Sequence, residues 1–126
     1  MSVKFNIVAR KNPFKPDAPP QYYPSIISSD RVTTRDVAHQ IAEISTVSSP
    51  DIMAAIEGLL SVLPRNLANG SIVDLGDFGS FWLRIKSQGT DNTTDVTAQN
   101  ITNVQIQFRP GKEFKRTLAT IQFEKS

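Results

Sequence analysis

The residues best suited to chemistry lie in two stretches, Gly76-Asp77-Phe78-Gly79-Ser80-Phe81 and Phe108-Arg109-Pro110-Gly111-Lys112-Glu113-Phe114-Lys115. In the first, glycines stand where the backbone must turn tightly between apolar anchors. The second opens a helix with a Pro-Gly turn, which sets free N–H groups and the positive end of the helix dipole beside Lys112 and Lys115. Between them, residues 80–86 and 104–109 alternate apolar and polar side chains with the period of a strand. Pairing the two strands collects Arg84, Lys86, Gln105, Gln107 and Arg109 on one face, opposite Phe81, Leu83, Ile85, Val104, Ile106 and Phe108. Such a basic, hydrogen-bonding surface suits phosphates without reading bases.

Other chemistries find little support. Cysteine is absent and His39 is the single histidine, so disulfides, thiolate metal sites and histidine clusters are excluded and no cofactor is expected. Neither a Gly-x-Ser-x-Gly elbow nor a phosphate loop occurs, so no enzyme activity and no small-molecule substrate are expected. No apolar run approaches the roughly 20 residues of a membrane span, and Met1-Ser2-Val3-Lys4-Phe5-Asn6 lacks the layout of a signal peptide. Net charge is +2, but residues 1–35 carry six basic and two acidic side chains and residues 104–126 five and two, while the middle of the chain is acidic. Positive charge is thus gathered toward the two ends.

The elements that must position these residues can be read from periodicity and punctuation. Val3, Phe5, Ile7 and Ala9 alternate with polar neighbours as a strand. Five of the eight prolines then fall within residues 13–24, which predicts an extended connector, with a short strand through Ile26 and Ile27. Thr33 or Thr34 caps a first helix ending near Ser45, with Val37, Ala38, Ile41, Ala42 and Ile44 on one face. Ser48-Ser49-Pro50-Asp51 starts a second helix through Ile52, Ile56, Leu59, Leu60, Leu63 and Leu67, in which Met53 is a core residue. Pro64 should kink that helix or end it early. A strand at Ile72–Leu75, a tight turn at Gly76–Gly79, a polar loop or arm over 87–103, a helix from Gly111 to Ala119 and a terminal strand around Ile121 and Phe123 complete the chain.

This order, with Gly-x-Phe-Gly-Ser-Phe in one turn and Phe-x-Pro-Gly-Lys-x-Phe-Lys closing the last sheet strand, resembles the HU and IHF family of bacterial histone-like DNA-binding proteins. The resemblance covers roughly residues 33–119. The N-terminal extension with Tyr22-Tyr23-Pro24, Asp77 inside the glycine motif and the ending Phe123-Glu124-Lys125 look like the longer HU-related proteins of Bacteroides-type bacteria.

The resemblance implies an α+β, HU-like fold and an intertwined homodimer, whose helical base carries an antiparallel sheet saddle for duplex DNA. It implies two segments, residues 1–30 as N-terminal strand and Pro-rich extension and residues 31–126 as the HU-like domain with its C-terminal strand. Phe78, Phe81 and Phe108 then become core anchors. Arg84 and Lys86 fall at saddle positions, and Arg109, Lys112 and Lys115 match the closing motif, with Gly111 in its turn and Arg116 adjacent. A cytoplasmic, nucleoid-associated protein follows. The family's arm is rich in arginine and carries a proline wedge that kinks DNA; residues 87–103 have no basic residue and include Asp91 and Asp95, which could close a helical turn at 95–100. The expectation is sequence-independent phosphate binding without strong intercalative bending. The rival reading is an HU scaffold turned protein-interaction or structural module, its terminal strands pairing with each other or with a partner's edge.

Overall fold

Residues 2–126 are described by the computed structural model; Met1, the first residue of the expected N-terminal segment, lies outside the described residues. The chain divides into two compact units, residues 34–116 and residues 1–33 joined by 117–126.

In the unit formed by 34–116, helix α1 (Thr34–Glu43) packs on α2 (Ser49–Ala68). The start of α2 follows from its sequence: the Ser48 hydroxyl accepts from the Asp51 N–H at 3.3 Å, Pro50 occupies the first turn, and Asp51 faces the positive dipole end. Its end is fixed by Gly70, whose φ of +83° lets the chain reverse while the Gly70 N–H bonds the Leu67 carbonyl at 2.9 Å. The expected break at Pro64 does not occur, and the helix runs through it to Ala68. Proline removes the donor that the Leu60 carbonyl would otherwise receive, but Leu60 is 72% exposed and water can take its place.

After α2 come strands β3 (Val73–Asp74), β4 (Gly79–Ser87) and β5 (Ile101–Pro110), an antiparallel sheet in the order β3-β4-β5. One turn of 3-10 helix, Gly76–Phe78, joins β3 to β4. Between β4 and β5 the chain folds into two short 3-10 turns, Thr93–Asp95 and Ala98–Asn100, the second closed by reciprocal capping between Thr97 and Asn100. The expected turn over 95–100 is therefore split around Val96 and Thr97. A bulge between Lys86 and Ser87 ends the regular pairing. The third helix, α3 (Lys112–Leu118), begins directly after β5.

The core of this unit is thin. Among the described residues the buried apolar side chains are Ala38, Ile52 and Leu67, all on α1 and α2, and Met53 is half-buried rather than core. Leu83, Ile85, Val104 and Ile106 on the apolar sheet face remain open, as do Leu59 and Leu60 on α2. No helix among the described residues is long and apolar enough to cross a membrane.

The other unit is a three-stranded sheet in the order β2-β1-β6. Strand β1 (Ser2–Arg10) is the centre, β2 (Gln21–Ile26) pairs antiparallel to it, and β6 (Gln122–Lys125) pairs parallel. The alternation of Val3, Phe5, Ile7 and Ala9 is realised as the central strand. The connector expected over 13–24 is shorter than its prolines suggest, because β2 already begins at Gln21 and contains Pro24 opposite Ile7. Edge position explains the tolerance: an edge strand needs only half of its N–H groups for pairing.

Candidate phosphate-contacting face and its glycine lock

The β4–β5 register realises the two-faced arrangement of the sequence. Ser80 stands opposite Arg109, Trp82 opposite Gln107, Arg84 opposite Gln105 and Lys86 opposite Asn103. In the alternate positions Phe81 faces Phe108, Leu83 faces Ile106 and Ile85 faces Val104. Arg84, Lys86 and Arg109 therefore share the polar face of one ribbon. All three are exposed, and no ion pair among the described residues engages them, Lys112 or Lys115. Arg116 is different: its guanidinium lies 3.1 Å from the Glu113 carboxylate one turn back on α3, in an exposed pair of the kind that contributes little to stability.

The two glycine motifs are one structure. The Gly111 N–H donates to the Phe78 carbonyl at 3.0 Å, so the turn that opens α3 is tied to the turn that opens β4. A side chain at Gly111 would run into the Asp77 carbonyl, and one at Gly79 would run into the Arg109 carbonyl and the Phe108 ring. Gly79 also has φ +140° and Gly76 φ +65°, conformations that L side chains rarely adopt. Asp74 accepts the Gly76 N–H at 2.9 Å, and the Gly79 carbonyl accepts the Leu75 N–H at 2.9 Å, which closes the turn from within.

Four phenylalanines cover this junction. Phe81 and Phe108, paired across the strands, have ring centroids 4.7 Å apart, and Phe114 of α3 meets Phe78 edge-on at 5.0 Å and Phe108 at 5.7 Å. Edge-to-face pairs of this kind add roughly 0.5–1.5 kcal/mol each beyond their area. Phe78, Phe81 and Phe108 act as anchors, as expected, but Phe78 and Phe108 keep part of their surface open in the single chain. The spacing of Phe114 from the Pro-Gly turn was the sequence signal for the fourth ring.

One detail of the sequence reading changes. The Gly111 N–H is committed to Phe78, so Gly111 shapes the turn and the open donors at the start of α3 are the N–H groups of 112–114. The Lys115 N–H already closes the first helical bond to the Gly111 carbonyl at 3.1 Å. His39, at the other end of this unit, sits on exposed α1 with Nδ1 3.1 Å from the Ser49 hydroxyl.

Comparison with known proteins agrees with this architecture. The chain is 33% identical over 87 residues to the DNA-binding protein HU of Thermus thermophilus, a match covering 67% of this chain and 89% of that protein. It is 31% identical over 90 residues to the integration host factor subunit alpha of Proteus mirabilis, with 67% and 88% covered. A crystal structure of a candidate bacterial DNA-binding protein from Bacteroides vulgatus superposes with a TM-score of 0.67 at 12% identity, over 98% of this chain and 48% of that one. That likeness is one of fold, and the present chain spans about half of the solved protein's length. The sequence also matches the family described as an HU domain fused to wHTH, Ig, or glycine-rich motif over residues 1–125, so that glycine lock, phenylalanine cluster and two-faced ribbon are those of a member of this HU family.

Proposed function

We propose that the protein is a histone-like protein that binds duplex DNA through the polar face of the β4–β5 ribbon and the start of α3, largely without sequence preference. The observation that carries this reading is the register that aligns Arg84, Lys86 and Arg109 on one exposed face with Gln105 and Gln107 between them. Lys112 and Lys115 extend the positive charge onto α3, Gly111 holds the turn that presents them, and Arg116 contributes once Glu113 releases it. Cations on a ribbon neutralise phosphates, and amide side chains add hydrogen bonds that tolerate many sequences. Relatives named as DNA-binding protein HU and integration host factor support the same reading.

The binding form is a homodimer. Support comes from the apolar face of the ribbon and the outer face of α2, both uncovered in one chain; a second copy offers the complementary pair. DNA is held without strong intercalative bending, since the residues between β4 and β5 fold into two short 3-10 turns, the second of them capped, in a segment with two aspartates and no cation. The protein works at the nucleoid in the cytoplasm and needs no cofactor and no substrate.

Fluorescence anisotropy with a labelled duplex tests this. With three to five phosphate contacts per chain the log-log salt slope should be about −2.7 to −4.5 per chain, at roughly −0.9 per contact. Lys112→Glu with Lys115→Glu should lower affinity at every salt concentration. Absence of binding at low salt would overturn the proposal.

A further inference from the structure

The hairpin loop between β1 and β2 has features that sheet pairing does not use. Residues 11–20 contain two consecutive turns built on the same plan. In Asn12-Pro13-Phe14-Lys15 the Lys15 N–H bonds the Asn12 carbonyl at 3.1 Å, and in Lys15-Pro16-Asp17-Ala18 the Ala18 N–H bonds the Lys15 carbonyl at 3.1 Å. Each turn has proline at its second position, where a fixed φ suits it. The Asn12 side chain further accepts the Phe14 N–H at 2.9 Å. The tip is thereby held in one shape without a packed core beneath it.

What this stiff tip displays is unusual. Phe14 is 91% exposed, the most exposed large apolar side chain among the described residues. Near it in the chain come Arg10, Lys11 and Lys15 against the single acid Asp17. Arg10 is steadied by Tyr23, whose ring lies 5.6 Å from the guanidinium carbon, and the Tyr23 hydroxyl donates to Gln21 at 2.7 Å. A recess of about 660 Å³, of mixed polar and apolar lining, includes Arg10, Lys11, Lys15 and Tyr23 beside Pro13 and Pro19. An exposed aromatic ring on a proline-stiffened loop, with cations on the same loop, is matched by a ligand that offers apolar surfaces between negative charges. Duplex DNA has that pattern, because the apolar parts of base edges line its grooves between two rows of phosphates.

We propose that the β1–β2 hairpin tip is a second DNA contact, in which Arg10, Lys11 and Lys15 neutralise phosphates and the Phe14 ring packs against base edges in a groove of the duplex. The inference rests on the DNA-binding reading above. Its element is separate, so the two can fail separately. Preset turns lose little conformational freedom on binding, which is the advantage of building the tip from prolines.

The test uses the full chain and a short fluorescein-labelled duplex, titrated by anisotropy over a range of salt. Lys11→Gln with Lys15→Gln should flatten the log-log salt slope by about 1.8 per chain. Phe14→Ala should weaken binding about fivefold or more, through lost apolar burial, while leaving that slope unchanged. Phe14→Trp should show tryptophan emission quenched by the duplex beyond any change of Trp82 in the parent. All three side chains are exposed, and far-UV circular dichroism will verify that the variants fold. If the parent binds and these variants match it in affinity and slope, the hairpin contact is overturned and the ribbon reading stands. If the parent itself does not bind, both fall.

Discussion

At the scale of single residues, the most constrained positions are those where a missing side chain is required. Gly111→Ala places a methyl group against the Asp77 carbonyl and loosens the bond from its N–H to Phe78. We expect a loss of about 1–3 kcal/mol in urea unfolding, the usual cost of overpacking, whereas Gly89→Ala, which meets no atom within 4 Å, should change stability by less than ~0.5 kcal/mol. Equal effects of the two would refute the lock. The glycines were legible in the sequence because a demand on the backbone leaves a trace in residue type. That Gly111 gives its N–H to Phe78 was not legible, since a hydrogen bond across 33 residues leaves no such trace.

Among the elements, local signals fixed those with caps and strong periodicity, and failed where a neighbour relaxed a local rule. Ser48 and Pro50 mark the start of α2, and Gly70 closes its end in the structure. Pro64 pointed to a break that the helix does not make, and Pro24 obscured a strand that forms at an edge. The sequence left the terminal strands to pair with each other or with a partner's edge; they pair with each other, in parallel, with Ser2 opposite Gln122. The α2 proline supplies a measurable consequence: Pro64→Ala restores a donor to the Leu60 carbonyl, and we expect the thermal midpoint to rise, since proline inside a helix costs up to ~3 kcal/mol relative to alanine. A fall in the midpoint would assign Pro64 a packing role against another surface.

For the whole molecule, the decisive quantity is how much apolar surface one copy leaves in water. Leu60 is 72% exposed and Ile106 61%, while the buried apolar set among the described residues is three side chains. A chain this small has little margin for such exposure. Sedimentation equilibrium at micromolar concentration should therefore give the mass of two chains, and Leu60→Asp should shift it toward one chain and lower the unfolding midpoint. A monomer for the parent would overturn the dimer proposal. The HU-like α+β fold was legible from element order and the two motifs, but this deficit was not, because a sequence marks which faces are apolar without saying which copy covers them.

The parallel pairing of β1 with β6 has a consequence for how the protein is made. The ribosome releases β1 and β2 before 34–116, yet their sheet lacks one edge until residues 122–125 emerge, after the whole of 34–116 has been synthesised. The nascent chain therefore carries an unfinished sheet while all of 34–116 is made, and a truncated product ending before β6 exposes the bare edge of β1, open to pairing with any neighbouring strand.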